Sequence, residues 1–131
     1  METKTLTLIV SAPKDRVFNY LADIKNLPRW ATEFCQKLEN KNGTYKVCTC
    51  QGDELYFEVH ADKKTGVIDY WAGPASDKMG VFPTRVIELP GAMTAYLFTM
   101  FQMPGVNPER FEGEYESLKR EFKNLEKEFS A

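Results

Sequence analysis

The stretch MPGVNPERFEGEYESLKREFKNLEKEF, residues 103–129, gives the clearest secondary-structure signal in this chain. It opens with Pro104-Gly105, a break, after which Asn107 and Pro108 suit the N-cap and the first helical position. The apolar side chains that follow are spaced by three or four residues: Phe111, Tyr115, Leu118, Phe122, Leu125 and Phe129. This spacing predicts an amphipathic helix of about 22 residues, ~33 Å long at about 1.5 Å per residue.

The opposite side of this helix is charged, and Glu116 is spaced to pair with Arg120 at i, i+4. Gly113, inside the helix, costs about 1 kcal/mol relative to alanine, so we expect it to let another element approach closely. A coiled coil is the competing interpretation of the apolar stripe. The run covers only about three heptads and follows a sheet with a face to cover, which favours packing on that sheet.

The N-terminal part of the chain predicts one strand followed by two short helices. Residues 3–10, TKTLTLIV, alternate between apolar and polar side chains as a strand does. Residues 11–30, SAPKDRVFNYLADIKNLPRW, predict a helix that begins at Pro13. Residues 26–28 interrupt it, and Trp30 falls in a second short helix.

Short alternating runs separated by turn residues fill the chain from about residue 33 to the long helix. The turn segments are residues 40–43, 51–53, 63–66, 73–77 and 90–91. Such spacing predicts about six antiparallel strands joined by hairpins. We expect one domain over residues 1–131, because a chain of this length suits a single core.

Charge and hydropathy exclude several classes of function. The net charge is −2 and the basic residues are spread along the chain, so we expect no nucleic-acid partner. No apolar run approaches the ~18 residues that a membrane span needs. The N-terminus lacks the pattern of a secretory signal, which predicts a cytoplasmic protein.

The cysteines predict free thiols rather than a bound metal. Cys35, Cys48 and Cys50 are odd in number, and Cys-x-Cys is not the spacing of a zinc or redox site. There is also no Gly-x-Ser-x-Gly nucleophile, phosphate loop or dinucleotide motif. We therefore expect no cofactor and no metal site.

Four segments resemble the START-related polyketide cyclase/dehydrase superfamily. They are VSAPKDRVFNYLADIKNLPRWA (residues 10–31), TGVIDYWAG (65–73), PTRVIEL (83–89) and LFTMFQMPGVNPERFEGEYESLKREFKNLEKE (97–128). The resemblance implies an α+β helix-grip fold, in which a curved antiparallel sheet wraps around the long C-terminal helix and two short helices follow the first strand. It leaves function open, because lipid carriers, cyclases, hormone receptors and co-chaperone-like domains share this fold.

The fold implies a cavity between the sheet and the long helix, and its ligand would be small and apolar or amphipathic. Trp30 would close one end of it in this superfamily's layout. The residues expected to bind the ligand are Trp30, Phe57, Tyr70, Arg85, Phe111, Tyr115, Leu118 and Phe122. The competing interpretation is that these bulky side chains fill the space and leave no cavity.

A polar row across four strands raises the question of catalysis. Turns centred at residues 64–65, at Asp77 and at residues 90–91 would place His60 opposite Asp69, Asp69 opposite Arg85, and Arg85 opposite Tyr96. Inside the cavity, Asp69 would orient His60 as a general base, and Arg85 or Tyr96 would hold an enolate or a carboxylate.

The pattern of the His60 strand favours a different placement. Phe57, Val59 and Ala61 form the apolar side of that strand, which puts His60 on the wet outer face. The strand of Arg85 has no clear apolar side, so a one-residue slip would move Arg85 into the cavity.

Three hypotheses about function follow. The leading one is a module that binds a small apolar ligand. The second is a polyketide cyclase/dehydratase-type enzyme that uses the His60, Asp69 and Arg85 row. The third is a protein-interaction domain, because Tyr96, Phe98 and Met100 share one side of their strand and would form an apolar patch, suited to a homodimer, if that side faced outward.

Overall fold

The computed structural model describes residues 1–130, and these residues form seven strands and three helices. The strands are β1 (Thr3–Val10), β2 (Lys37–Lys41), β3 (Thr44–Cys48), β4 (Glu54–Asp62), β5 (Val67–Ala75), β6 (Lys78–Leu89) and β7 (Met93–Phe101). The helices are α1 (Lys14–Ala22), α2 (Leu27–Trp30) and α3 (Pro108–Phe129), with a 3₁₀ turn at Ile24–Asn26 between α1 and α2. Each strand pairs antiparallel with its neighbours, in the order β1-β7-β6-β5-β4-β3-β2.

The long C-terminal helix begins and ends as predicted. The side chain of Asn107 accepts a hydrogen bond from the Arg110 amide at 2.8 Å, and Pro108 is the first helical residue. The helix buries one apolar stripe against the sheet: Phe111, Leu118, Phe122, Leu125 and Phe129. Lys4 of β1 binds Glu112 of α3 at 2.9 Å, which fixes the N-terminal half of the helix beside the edge strand.

Two predictions about the exposed side of α3 are wrong. No element approaches Gly113, because a β-carbon added there would have no heavy atom within 4 Å among residues 1–130. Glu116 binds Lys119 at 2.9 Å rather than Arg120. Arg120 turns instead toward Glu33, in the loop that follows α2.

The hairpins confirm one predicted pairing and correct two. His60 lies opposite Asp69, because residues 63–66 form the predicted turn. Asp69 faces Pro83 rather than Arg85. The turn lies at residues 76–77 instead of being centred on Asp77, which accounts for one residue, and the register shift between Ala72 and Ala75 accounts for the other.

The next hairpin differs by one residue. Its turn contains residues 90–92, whereas the predicted turn was centred on residues 90–91. Tyr96 therefore lies opposite Val86, and Arg85 lies opposite Leu97. Because neighbouring residues of a strand point to opposite faces, Tyr96 is buried on the inner face and Arg85 is exposed on the outer face.

The curved antiparallel sheet around α3, with short helices after the first strand, is the α+β helix-grip fold predicted from the sequence. α3 packs on the sheet, which excludes the coiled-coil interpretation of its stripe. One end of the space between sheet and helix is filled by aromatic side chains. Tyr96 of β7 and Phe122 of α3 lie 5.7 Å apart between ring centroids. Beside them, Phe129 of α3 packs 5.4 Å from Tyr20 of α1.

Candidate functional site

A pocket of about 170 Å³ lies at the other end of this space. Its walls are α2, the loop of residues 31–36, the inner face of the sheet and one side of α3. Aromatic side chains provide most of the apolar lining: Trp30, Phe34, Phe57, Tyr70, Phe82 and Phe98. The rim is polar and includes Gln51, Asp53 and Arg110, which are exposed.

Contacts between rings hold the aromatic lining in place. The centroid of Phe34 lies 5.7 Å from that of Phe57 and 6.3 Å from that of Phe82, distances typical of favourable aromatic pairs. Trp30 lies 6.5 Å from Tyr70. The hydroxyl of Tyr70 donates to the Leu21 carbonyl oxygen at 2.7 Å, so this buried polar group is satisfied away from the pocket.

Three side chains of α3 bind Trp30 at the end of α2 or the loop of residues 31–36 that follows it. The guanidinium of Arg120 donates to both carboxylate oxygens of Glu33, at 2.8 and 2.7 Å, and the hydroxyl of Ser117 donates to the same carboxylate at 3.0 Å. This bidentate arrangement lowers the pKa of Glu33. Asn124 donates to the Trp30 carbonyl oxygen at 2.9 Å, which fixes the end of α2.

Glu121 supplies the fourth connection, from inside the pocket. Its side chain is 4% exposed, and its Oε2 accepts hydrogen bonds from the amides of Glu33 at 3.1 Å and Phe34 at 2.9 Å. Burial raises the pKa of this carboxyl to about 7, and the two amide bonds oppose the shift only in part. It is the only charged residue among residues 1–130 that is buried.

Two more ionisable groups, Glu114 in the pocket and Cys35 in the core beside it, have pKa values raised by burial. Glu114 lies 3.7 Å from Arg110 at the rim, and burial raises the pKa of its carboxyl despite that cation. Burial also raises the pKa of the Cys35 thiol, within the loop of residues 31–36, to about 11, which keeps it protonated and unreactive at neutral pH. Cys35, Cys48 and Cys50 form no disulfide with one another.

The structure brings four of the predicted binding residues to the pocket: Trp30, Phe57, Tyr70 and Leu118. Phe111 and Phe122 are buried in the core instead. Tyr115 packs under Lys4, whose Nζ lies 4.7 Å from the ring centroid. The pocket lies along one edge of the buried stripe, where its lining residues from α3 are Arg110, Glu114, Ser117, Leu118 and Glu121.

Arg85 does not reach the pocket, and its predicted place there is wrong. It is exposed on the outer face of β6, where its Nε donates to the Thr65 carbonyl oxygen at 3.3 Å. The charged guanidinium remains in water, which removes the desolvation cost of burying it.

His60 is also on the outer face, as the alternation of its strand predicted. Its side chain is 58% exposed, and its Nε2 lies 3.0 Å from Oε1 of Glu58, two residues earlier on the same face of β4. It borders a wider depression of about 550 Å³ that is lined mainly by polar residues. The predicted row of His60, Asp69 and Arg85 therefore lies outside the aromatic pocket, which argues against a cyclase mechanism built on it.

The predicted apolar patch on β7 lies on the inner face of the sheet and cannot form an interface. Tyr96, Phe98 and Met100 are all buried on the inner face. The homodimer prediction thereby loses the surface on which it was based. The Tyr96 hydroxyl is buried and has no hydrogen-bond partner among residues 1–130.

Sequence reasoning missed several residues of the pocket, above all Glu121. A signal was present, since Glu121 occupies a position of the apolar stripe, three residues after Leu118 and four before Leu125. A carboxyl at such a position is either paired or functional, because burying a charge is costly. Phe34 and Phe82 gave no such signal, because their places depend on a loop and on strand register.

No protein-family model matches the sequence, and no curated protein matches it. Several solved structures match nearly the whole chain. The protein XoxI from Bacillus cereus has a TM-score of 0.77 at 13% identity, covering 98% of this chain and 96% of that chain. The Aha1 dimer from Colwellia psychrerythraea gives 0.71 at 12% identity, covering 98% and 96%. A START superfamily protein from Mycobacterium smegmatis gives 0.67 at 14% identity, covering 97% and 96%.

Identities this low show a shared fold and not a shared function. The chain shares the helix-grip fold of these structures, which confirms the fold that the sequence resemblance implied. Within residues 1–130, no helix combines the length and the apolar character that crossing a membrane requires. The same residues contain no group of three or more His, Cys, Asp or Glu side chains arranged to hold a metal ion.

Proposed function

We propose that this chain is a binding module for a small, largely apolar ligand, held between α3, the sheet and the loop of residues 31–36. One observation carries the proposal: an aromatic-lined pocket of about 170 Å³ that contains one buried carboxyl, Glu121. Small-molecule sites are typically concave and apolar, with a few polar groups that orient the ligand. The proposal concerns binding and assigns no reaction.

The energetics of the pocket favour an occupant. Protein interiors are close-packed, and side chains that line a void lose dispersion contacts. Phe34, Leu55 and Phe82 line the pocket and are only half-buried. A ligand that covered them would remove apolar surface from water at about 25 cal/mol per Å².

Native mass spectrometry of the purified protein, before and after extraction with organic solvent, tests the proposal. We expect a small apolar compound to co-purify, or the extracted protein to bind a neutral probe such as phenylbutanol. The variant Leu118→Trp fills the pocket with an indole and should abolish binding. The control Lys123→Trp places the same indole on the exposed side of α3 and should bind normally. Extracted protein that binds no apolar compound would contradict the proposal.

A further inference from the structure

The ionisable groups around the pocket are predominantly acidic. Four carboxyl groups among residues 1–130 line it, Glu33, Asp53, Glu114 and Glu121, against one guanidinium, Arg110. A pocket that selected an anionic ligand, such as a fatty acid, would be expected to have the opposite balance.

Neighbouring cations neutralise two of these carboxylates. Arg120 binds Glu33 in a bidentate pair, and Arg110 lies 3.7 Å from Glu114. Asp53 and Glu121 have no ion-pair partner among residues 1–130. The unpaired acidic groups are therefore one at the rim, Asp53, and one in the interior, Glu121.

The interior carboxyl has a free acceptor. Both backbone bonds go to Oε2 of Glu121, and Oε1 accepts no hydrogen bond within residues 1–130. The residue is only 4% exposed, so bulk water does little to stabilise an ionised carboxylate there. A cationic donor that entered the pocket would supply the missing partner.

The aromatic walls suit the same kind of ligand. Trp30 of α2, Phe34 of the loop, and Phe57 and Tyr70 of the sheet line the space. Aromatic faces carry negative quadrupole charge and attract an ammonium group while they accommodate an apolar body. A carboxylate and several ring faces around one cavity favour a cation over an anion.

We propose that the pocket takes a small amphipathic amine, with its apolar body among the aromatic rings and its ammonium group donating to Oε1 of Glu121. This inference rests on the proposed ligand-binding function and adds the chemical class of the ligand. An ammonium ion placed there would form a charge-assisted hydrogen bond in a low-dielectric environment, where such bonds are strongest.

Three probes with nearly the same apolar body test the inference: phenylbutylamine, phenylbutanol and phenylbutyrate, each titrated into extracted protein by calorimetry at about pH 8. We expect the amine to bind more tightly than the alcohol, and about tenfold or more tighter than the carboxylate. Equal affinities, or a preference for phenylbutyrate, would overturn the amine assignment and leave the ligand-binding proposal intact. If none of the three binds, both proposals fail.

The variant Glu121→Gln locates the selectivity. Its amide oxygen still accepts from the two backbone amides while the charge is lost. We expect amine affinity to fall to the level of the alcohol, and alcohol affinity to change by less than about twofold. The control Glu126→Gln, on the exposed side of the same helix, should leave the order of the probes unchanged. An amine preference that survives Glu121→Gln would overturn the assignment.

A pH series on the wild-type protein tests the role of Glu121 without a substitution. Burial raises the pKa of Glu121 to about 7, so its ionised fraction grows between about pH 6 and pH 8 while an alkylamine stays protonated. Amine affinity should rise over this range, and phenylbutanol affinity should stay flat. A flat amine profile would overturn the assignment.

The charged and titratable groups around Glu121 are Glu33 and Cys35 from the loop, Arg120 from its own helix, and the pocket groups Asp53, Tyr70, Arg110, Glu114 and Cys50. Burial raises the pKa of Tyr70, so its hydroxyl stays neutral across this range. Glu33 has a lowered pKa, and Arg120 and Cys35 have raised ones, so their charges stay constant across this range. Glu114 also has a raised pKa. When the pH series is repeated on Glu114→Gln, amine affinity should still rise with pH. If the rise disappears in this variant, the titrating group that binds the amine is not Glu121.

Discussion

Glu121 on the long helix accepts hydrogen bonds from the backbone amides of both Glu33 and Phe34, and it thereby joins the helix to the loop that forms one wall of the pocket. The bond to the Phe34 amide is 2.9 Å long. The same carboxyl therefore has a structural role, through Oε2, and a proposed ligand-binding role, through Oε1.

The stability of the protein should depend on pH through Glu121. The folded protein holds this proton up to about pH 7, whereas an unfolded glutamate releases it near 4.5. The contribution of Glu121 to the free energy of unfolding therefore falls as the pH rises through this window, and it is constant outside the window. The total fall is up to ~3 kcal/mol, at about 1.4 kcal/mol per pH unit.

Denaturant unfolding of wild type and Glu121→Gln at about pH 5 and about pH 8 checks this expectation. The variant should gain stability relative to wild type at the higher pH. All other titrating groups are common to both proteins and cancel in the difference. A difference in stability that is the same at both pH values would contradict the expectation.

The bidentate pair between Arg120 and Glu33 should keep the pocket wall ordered. In Arg120→Ala, we expect the amides of Glu33 and Phe34 to exchange with solvent several-fold faster, because the loop loses two of its bonds to α3. Hydrogen exchange followed by NMR measures this directly. Lys119→Ala removes a neighbouring cation that pairs only within the helix, and it should leave both amides unchanged. Equal exchange in both variants would show that Arg120 does not order the loop.

Gly113→Ala should stabilise the protein by ~1 kcal/mol, because alanine is the better helix former and its β-carbon would enter open space. Gly73→Ala is the opposite case, since a β-carbon there would overlap the carbonyl oxygen of Lys78 on the neighbouring strand. Denaturant midpoints should therefore move in opposite directions for the two variants. A destabilised Gly113→Ala would mean that an unseen contact covers this part of α3.

His60→Ala should leave both stability and ligand binding nearly unchanged. The side chain is exposed and its partner, Glu58, is exposed as well, so we expect a change in unfolding free energy within about 0.5 kcal/mol. The matched variant is Asp69→Asn, which changes the residue opposite His60 on β5, and we expect it to be equally neutral. Loss of probe binding in His60→Ala alone would show that His60, and with it the predicted polar row, belongs to the binding site.

Local sequence signals predicted the fold well. The cap at Asn107, the first helical residue Pro108 and the stripe to Phe129 lie within one helix, so no distant contact was needed to place them. The turn at residues 63–66 likewise fixed the pairing of His60 with Asp69. Each of these features depends on residues close together in the chain.

The site was harder to predict because it depends on strand register and on which edge of the helix stripe borders the pocket. The turn at residues 90–92 has one residue more than predicted, so Tyr96 faces inward while Arg85 faces outward. Glu114 and Glu121 line the pocket from the edge of the stripe, and Tyr115 does not. The bonds from Glu121 to the loop at Glu33 and Phe34 span more than eighty residues of sequence and have no local signal.

Binding of an amine in the aromatic pocket can be observed by NMR when isotope-labelled, extracted protein is titrated with phenylbutylamine. We expect saturable shifts centred on the Trp30 indole and the amides of Phe34, Leu118 and Glu121, with no shifts near His60. Saturable shifts confined to the polar depression beside His60, or no saturable shifts at all, would contradict binding in the pocket.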